Sequence, residues 1–133
     1  MSKTILLIED DDAIIRLMRV SLQTNEYEVI CAKSGIDGIS AFLSYHPDLV
    51  LLDMGLPDID GEEVLSQIRQ ISNVPIIIVS AREKKKKKVY ALDNGANDYI
   101  TKPFSIKELL ARIRVAFRSS SPIDKPNNTF SLN

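Results

Sequence analysis

Five short runs rich in β-branched residues and leucine recur through the first hundred residues, at 5–8, 27–31, 49–52, 76–79 and 98–100. Several are apolar at every position. A strand with one wet face alternates apolar and polar residues, so an uninterrupted apolar strand needs cover on both faces, as a parallel strand has between two helical layers. The intervening stretches supply those layers. Ile14, Met18 and Leu22 form one stripe, and Ile106, Leu109, Leu110, Ile113 and Phe117 another, each with the three-to-four-residue repeat of an amphipathic helix.

Strand and helix thus alternate five times over about 118 residues. Right-handed crossovers place helices on both faces of such a sheet, so the expected fold is α/β, a doubly wound five-stranded parallel sheet. Local signals agree. Ser34 with Asp37, and Ser105 with Glu108, have capping-box spacing, and Gly95 sits where a fourth helix should stop, after Leu92 and Asn94. After Arg118 the periodicity ends; residues 119–133 read as a linker, with Phe130 at the expected start of a further unit. No internal repeat is evident.

Charge and composition narrow the function classes. The formal net charge is -1, whereas a surface that tracks nucleic-acid phosphates shows a basic excess. The one basic cluster, the five lysines at 84–88, is expected to be the solvated start of the fourth helix. Cations there oppose the helix dipole, so that turn should fray; DNA contact is the other use of such a run. The apolar run at 5–8 is too short for a signal peptide or membrane span, which points to a cytoplasmic protein without membrane contact. Cys31, the only cysteine, excludes an internal disulfide and is expected to be a small buried hydrophobe in a reducing compartment. His46 beside Pro47 has no companion for metal binding and is expected in a loop.

The chemistry lies at the strand ends. Glu9 and Asp10 follow the first strand, Asp53 the third and Ser80 the fourth, and Lys102 lies just beyond the fifth. In open α/β sheets ligands bind outside the carboxyl ends of the strands. Three carboxylates brought together there raise one another's proton affinity unless a cation neutralises them. Mg²⁺ suits them, because it takes oxygen ligands and keeps several waters; the carbonyl of Gly55 would add a ligand with no side chain in the way. Lys102 and Ser80 offer a cation and a hydroxyl to the oxygens of a phosphoryl group on Asp53, already an anionic nucleophile. Taken singly, each residue has an ordinary use. An acid after a strand caps a helix or a turn; Asp11 and Asp12 are expected to be such capping residues or solvated ones, and a lone lysine pairs with a surface acid. Their joint placement is what points to chemistry.

That set resembles the receiver domains of two-component response regulators, within them the OmpR/PhoB type. The matching residues are Glu9-Asp10, Asp53 with Pro57, Asp60 and Gly61, Ser80-Ala81, and Lys102-Pro103-Phe104. The resemblance implies a receiver domain over residues 1–118 with the flavodoxin-like strand order 2-1-3-4-5. It implies phosphorylation of Asp53 by a sensor histidine kinase, with Mg²⁺ held by Asp10, Asp53 and the Gly55 carbonyl, and by Glu9 through water. Ser80 and Lys102 would contact the phosphoryl oxygens. Ser80 and Tyr99 would form a switch in which the aromatic ring turns inward; without the resemblance, Tyr99 reads as a half-buried edge-strand aromatic. A cis peptide before Pro103 would aim Lys102 at the acids.

The resemblance also implies a phosphorylation-driven homodimer through the fourth helix, fifth strand and fifth helix. Lys88 with Glu108, Asp98 with Arg112, and Asp93 with Arg114 are the matching charges, while Asn97 and Ser119 depart from the type. Gly55-Leu56-Pro57-Asp58, Ser80-Ala81-Arg82 and Arg114-Val115-Ala116-Phe117-Arg118 are similar to the Kdp potassium-response regulators. Members of that group carry a winged-helix DNA-binding domain after a linker, so DNA contact would belong to a domain absent here; a free-standing receiver with a tail is the alternative. Two other classes fit less well. Aspartyl-phosphate phosphatases resemble a pattern with a second Asp two residues after the nucleophile, where this chain has Gly55. A nucleotide or flavin module needs a Gly-, Ser- or Thr-rich loop after the first strand, and the acids at 9–12 would repel phosphate.

Overall fold

The carboxyl ends of the strands come level because the sheet is parallel throughout. The computed structural model describes residues 2–81 and 85–120, with only the backbone at 85, 86 and 120. The strands are β1 (Thr4–Ile8), β2 (Glu28–Ala32), β3 (Leu49–Asp53), β4 (Ile76–Ser80) and β5 (Asp98–Thr101), in the order β2-β1-β3-β4-β5. In register, Ile8 lies beside Ala32 and Leu52, Asp53 beside Val79, and Ser80 beside Thr101. The helices are α1 (Asp12–Thr24), α2 (Gly35–Tyr45), α3 (Gly61–Arg69), α4 (Lys85–Asp93) and α5 (Ile106–Ser120). Both the doubly wound architecture and the strand order match expectation.

Every residue of β3 is buried, as are all but one of β1 and of β4. Their apolar runs conceal a period of two. Leu6, Ile8, Val50, Leu52, Ile76 and Ile78 face one layer, with Phe42 of α2, Val64, Leu65 and Ile68 of α3, and Ala91 of α4. Ile5, Leu7, Leu49, Leu51 and Ile77 face the other, with Ile15, Met18 and Leu22 of α1 and Leu109, Ile113 and Ala116 of α5. Full burial of each such aliphatic side chain is worth about 1.5–3 kcal/mol, enough to fix the sheet between its layers.

Local chemistry sets where the helices begin and end. Asp11 caps α1, accepting from the N–H groups of Ala13 and Ile14 at 2.9 and 3.2 Å. Ser34 accepts from Asp37 N–H at 3.1 Å and Ser105 from Glu108 N–H at 3.0 Å, so each predicted serine cap forms. Gly95, at φ 106°, terminates α4: its N–H donates to Leu92 O and that of Ala96 to Ala91 O, the paired bonds of a Schellman motif. His46 closes α2 in the left-handed region.

Three expectations need adjustment. α5 continues two residues past Arg118, through Ser120, because serine is tolerated in a last turn that needs no apolar contact. β2 starts at Glu28, since Tyr27 N–H still donates to Leu22 O of the preceding turn. Cys31 is half-buried rather than buried, because β2 is an edge strand. Lys84, residues 121–133 and hence Phe130 lie outside the described residues.

Two tertiary ties escaped the sequence reading. Arg69 at the end of α3 donates to Gly95 O at 2.8 Å, Ser72 O at 3.1 Å and Asn97 Oδ1 at 2.9 Å, joining the loops before β4 and β5. Burial lowers its pKa, yet all its partners are neutral oxygens. Asp58 in the β3–α3 loop accepts from the N–H groups of Gly35 and Ile36 at 2.8 and 2.9 Å, capping α2 from a distance. The Ile36 and Gly35 bonds hold the Asp58 carboxyl below its ordinary pKa.

Candidate functional site

At the carboxyl edge of β1, β3 and β4 a crevice is lined by Glu9, Asp10, Asp11, Asp53, Met54, Gly55, Ser80, Ala81, Lys87 and Lys102. It contains every residue that the sequence reading assigned to metal, nucleophile and phosphoryl contact. Asp53 is the last residue of β3 and only 5% exposed. The close approach of α3 helps enclose it: a Cβ on Gly61 would lie 2.6 Å from Met54 Sδ and 2.9 Å from Asp53 O, so this turn has no room for a side chain. At Gly55, by contrast, a Cβ would meet only Asp53 Oδ2, at an ordinary contact distance of 3.8 Å.

Glu9 is 1% exposed and fixed on all sides. Its N–H donates to Ala32 O at 3.0 Å, its Oε2 accepts from Asp11 N–H at 3.1 Å, and its Oε1 accepts from Lys102 Nζ at 2.8 Å. Lys102 Nζ also lies 3.3 Å from Asp53 Oδ1. The Lys102 N–H donates to Ser80 O at 2.6 Å, and the Lys102–Pro103 peptide is cis, as expected. Burial pushes the pKa of Glu9 up, against the bonds from Lys102 and Asp11, and the nearby Asp53 charge adds to the rise. Burial alone would lower the pKa of Lys102; Glu9 and Asp53 outweigh it and raise it.

Asp10 is exposed, and one carboxylate oxygen from each of Glu9, Asp10 and Asp53 lies within 4.8 Å of the others. Three acids against one ammonium leave a surplus of negative charge, and hard carboxylate oxygens on an open rim are the donor set a divalent cation takes. The residues present therefore fit Mg²⁺.

Ser80 at the end of β4 is half-buried and lines the crevice. Tyr99 on β5 is 5% exposed and packs in the core layer with Ala91 and Ala96, more buried than an edge-strand aromatic was expected to be, because α4 covers β5 there. Asp12 is exposed, as expected, and pairs there with Lys33 at 2.7 Å, which lowers its pKa.

The predicted dimer-face charges, Lys88 and Asp93 on α4, Asp98 on β5, and Glu108, Arg112 and Arg114 on α5, flank exposed Val89, Tyr90, Leu92 and Val115. Within one chain, Arg112 Nη1 contacts both oxygens of Asp98 at 2.9 Å, and Arg112 Nη2 lies 3.1 Å from Glu108. The Asp98 bond is the main cause of the raised Arg112 pKa. Lys87 at the crevice rim was not singled out by sequence; the only signal was its membership of the lysine run.

A parallel 2-1-3-4-5 sheet with acids, a hydroxyl and a lysine converging at its carboxyl edge defines a doubly wound α/β domain with a charged crevice at its ligand-binding edge. The chain belongs to the response regulator receiver domain family, which residues 5–114 match. It is 45% identical over 131 residues to the transcriptional regulatory protein KdpE of Staphylococcus aureus, covering 98% of this chain and 57% of that protein. It is 44% identical over 123 residues to the KDP operon transcriptional regulatory protein KdpE of Escherichia coli, covering 92% and 55%. Among solved structures, a CheY-like receiver domain from Methanospirillum hungatei superposes with a TM-score of 0.85 at 29% identity, covering 90% of this chain and 96% of that one. The chain spans about half the length of the curated relatives it matches. No helix among the described residues is long and apolar enough to cross a membrane.

Proposed function

We propose that this receiver domain is switched by phosphorylation of Asp53, with Lys102 and Ser80 on the phosphoryl oxygens and Mg²⁺ held by Asp10, Asp53 and the Gly55 carbonyl, and by Glu9 through water. The observation that carries the reading is the Lys102 ammonium group set between buried Glu9 and Asp53. Both Glu9 oxygens are already engaged, by Lys102 and by the Asp11 N–H, which favours an indirect role, whereas exposed Asp10 is available as a direct ligand. Bound Mg²⁺ would supply positive charge to the phosphoryl oxygens. The chain supplies the rest. Asp53 is held as an in-line nucleophile, and Lys102 can follow charge from the carboxylates to the transferred group, so catalysis is positioning and electrostatic stabilisation.

The donor in this reading is the phosphohistidine of a sensor histidine kinase, and the exchange takes place in the cytoplasm. The protein is then a signalling switch that turns over its own phosphoryl group rather than an enzyme acting on other substrates. Ser80 and Tyr99 transmit the change to α4, β5 and α5, whose exposed apolar and charged residues form a homodimer, and an attached DNA-binding domain, as in transcriptional regulators, reads out the dimer. The test is incubation with acetyl phosphate and Mg²⁺ followed by intact-mass measurement. The parent should gain one phosphoryl group and Asp53→Ala none; an adduct retained by Asp53→Ala would falsify the assignment.

A further inference from the structure

One member of the lysine run, Lys87, reaches the crevice. Lys87, in the first turn of α4, lines the same crevice as Asp53 and Lys102, and its side chain is exposed. The two cations stand in different situations. Lys102, with its side chain only 15% exposed, is already held by Glu9 and Asp53. Lys87 has no ion pair among the described residues. Among the described residues, Ala81, whose side chain is only a methyl group, is the neighbour that lines the crevice on that side.

An anionic phosphodonor has to enter past Glu9, Asp10, Asp11 and Asp53, all of which line the cavity. Lys102 offsets one of these charges and a bound divalent cation two more, which leaves an excess of one negative charge. Lys87 cancels it. Charge at the mouth of a cleft acts chiefly on the encounter with a charged ligand, and the effect falls as salt rises.

We infer that Lys87 is a donor-selecting residue: its ammonium group draws dianionic small-molecule acyl phosphates into the crevice and favours them over donors of lower charge. This rests on the reading of Asp53 as phosphoacceptor. In the step served, an Asp53 carboxylate oxygen forms the new bond to phosphorus. The bond from phosphorus to the donor's acyl oxygen breaks, its electron pair leaving with the carboxylate product, and no proton need be moved. Lys87 attracts the donor before and during this exchange. Its loss should therefore lower the rate per unit of donor without lowering the rate at saturation.

The experiment follows phosphorylation by intact mass with two donors, acetyl phosphate, a dianion at neutral pH, and phosphoramidate, whose protonated nitrogen leaves it a net monoanion. Lys87→Gln should react roughly three- to tenfold more slowly per unit of acetyl phosphate at low ionic strength. The deficit should be smaller with phosphoramidate and should shrink as salt is added, while Lys87→Arg keeps the parent's rate. Lys3→Gln removes an exposed lysine at the opposite end of β1 and should change nothing. Equal rates for Lys87→Gln and the parent would overturn the inference, as would a matching loss in Lys3→Gln or a loss indifferent to donor charge and salt. A phosphoryl adduct surviving in Asp53→Ala would instead overturn the reading of Asp53.

Discussion

Lys102 spans the two buried acids of the crevice, its Nζ lying 2.8 Å from Glu9 Oε1 and 3.3 Å from Asp53 Oδ1. The ammonium group and a divalent cation are alternative partners for the same oxygens. Lys102→Met leaves Glu9 and Asp53 buried without compensation, so the metal-free protein should lose about 3 kcal/mol of stability. It should also bind Mg²⁺ more tightly, because a competitor is gone, and accept a phosphoryl group roughly a hundredfold more slowly. Urea unfolding, Mg²⁺ titration and acetyl phosphate labelling measure the three effects. Unchanged stability and unchanged Mg²⁺ affinity together would mean that the lysine does not pair with these acids in solution.

Arg69 is another half-buried cation, but its partners are neutral oxygens. Lys in its place cannot reach Gly95 O, Ser72 O and Asn97 Oδ1 together, since those bonds use the fixed fork of a guanidinium. Arg69→Lys should cost about 1–3 kcal/mol, read as a lower urea midpoint at constant slope, with phosphorylation of Asp53 unaffected. A midpoint equal to the parent's would show the clamp to be dispensable.

The contrast between these two cations shows what the chain spelled out. Strand identity was legible because uninterrupted apolar runs at 5–8, 49–52 and 76–79 have one cheap burial, between two layers. The crevice was legible because Glu9, Asp10, Asp53, Ser80 and Lys102 each sit at a strand end, and a parallel sheet brings such ends to one edge. Arg69 and Asp58 were not legible. Their partners are backbone groups 26 and 23 residues away, such as Gly95 O and Gly35 N–H, and backbone groups carry no residue-type signal. Cys31 was misjudged because an apolar run does not reveal whether its strand is central or at the edge.

Asp58 provides a test by pH. Its carboxyl is held below its ordinary 3.8 by the N–H groups of Ile36 and Gly35. A group whose folded pKa is depressed contributes its stabilisation fully above the unfolded pKa and loses it as pH falls through the folded one. Asp58→Ala should therefore melt a few degrees below the parent at neutral pH. The gap should persist down to about pH 4 and close below it. Thermal melts of both proteins across that range decide the matter, and a gap that widens in acid would contradict the cap.

The proposed dimer face needs a sharper test than its charges alone suggest. Because Arg112 already grips Asp98 within the chain and also reaches Glu108, exchanging Asp98 and Arg112 preserves an internal pair, and a restored dimer could reflect restored folding of the face. Asn97 carries no charge, and its Oδ1 accepts from Arg69 and from Ile76 N–H at 2.9 and 2.8 Å, so it offers no ion pair here. Asp93 and Arg114 avoid both problems, being exposed and without ion pairs among the described residues. A two-fold axis makes each contact occur twice, so a modest surface pair counts double. With beryllofluoride as the phosphoryl mimic, Asp93→Arg and Arg114→Asp should each weaken dimerisation roughly tenfold in sedimentation velocity, by setting like charges together at both contacts. The double exchange should restore it. Because neither residue has an ion pair within the described chain, restoration points to contact across the axis. If both single variants assemble as the parent does, the dimer forms through another surface and these charges only keep this one soluble.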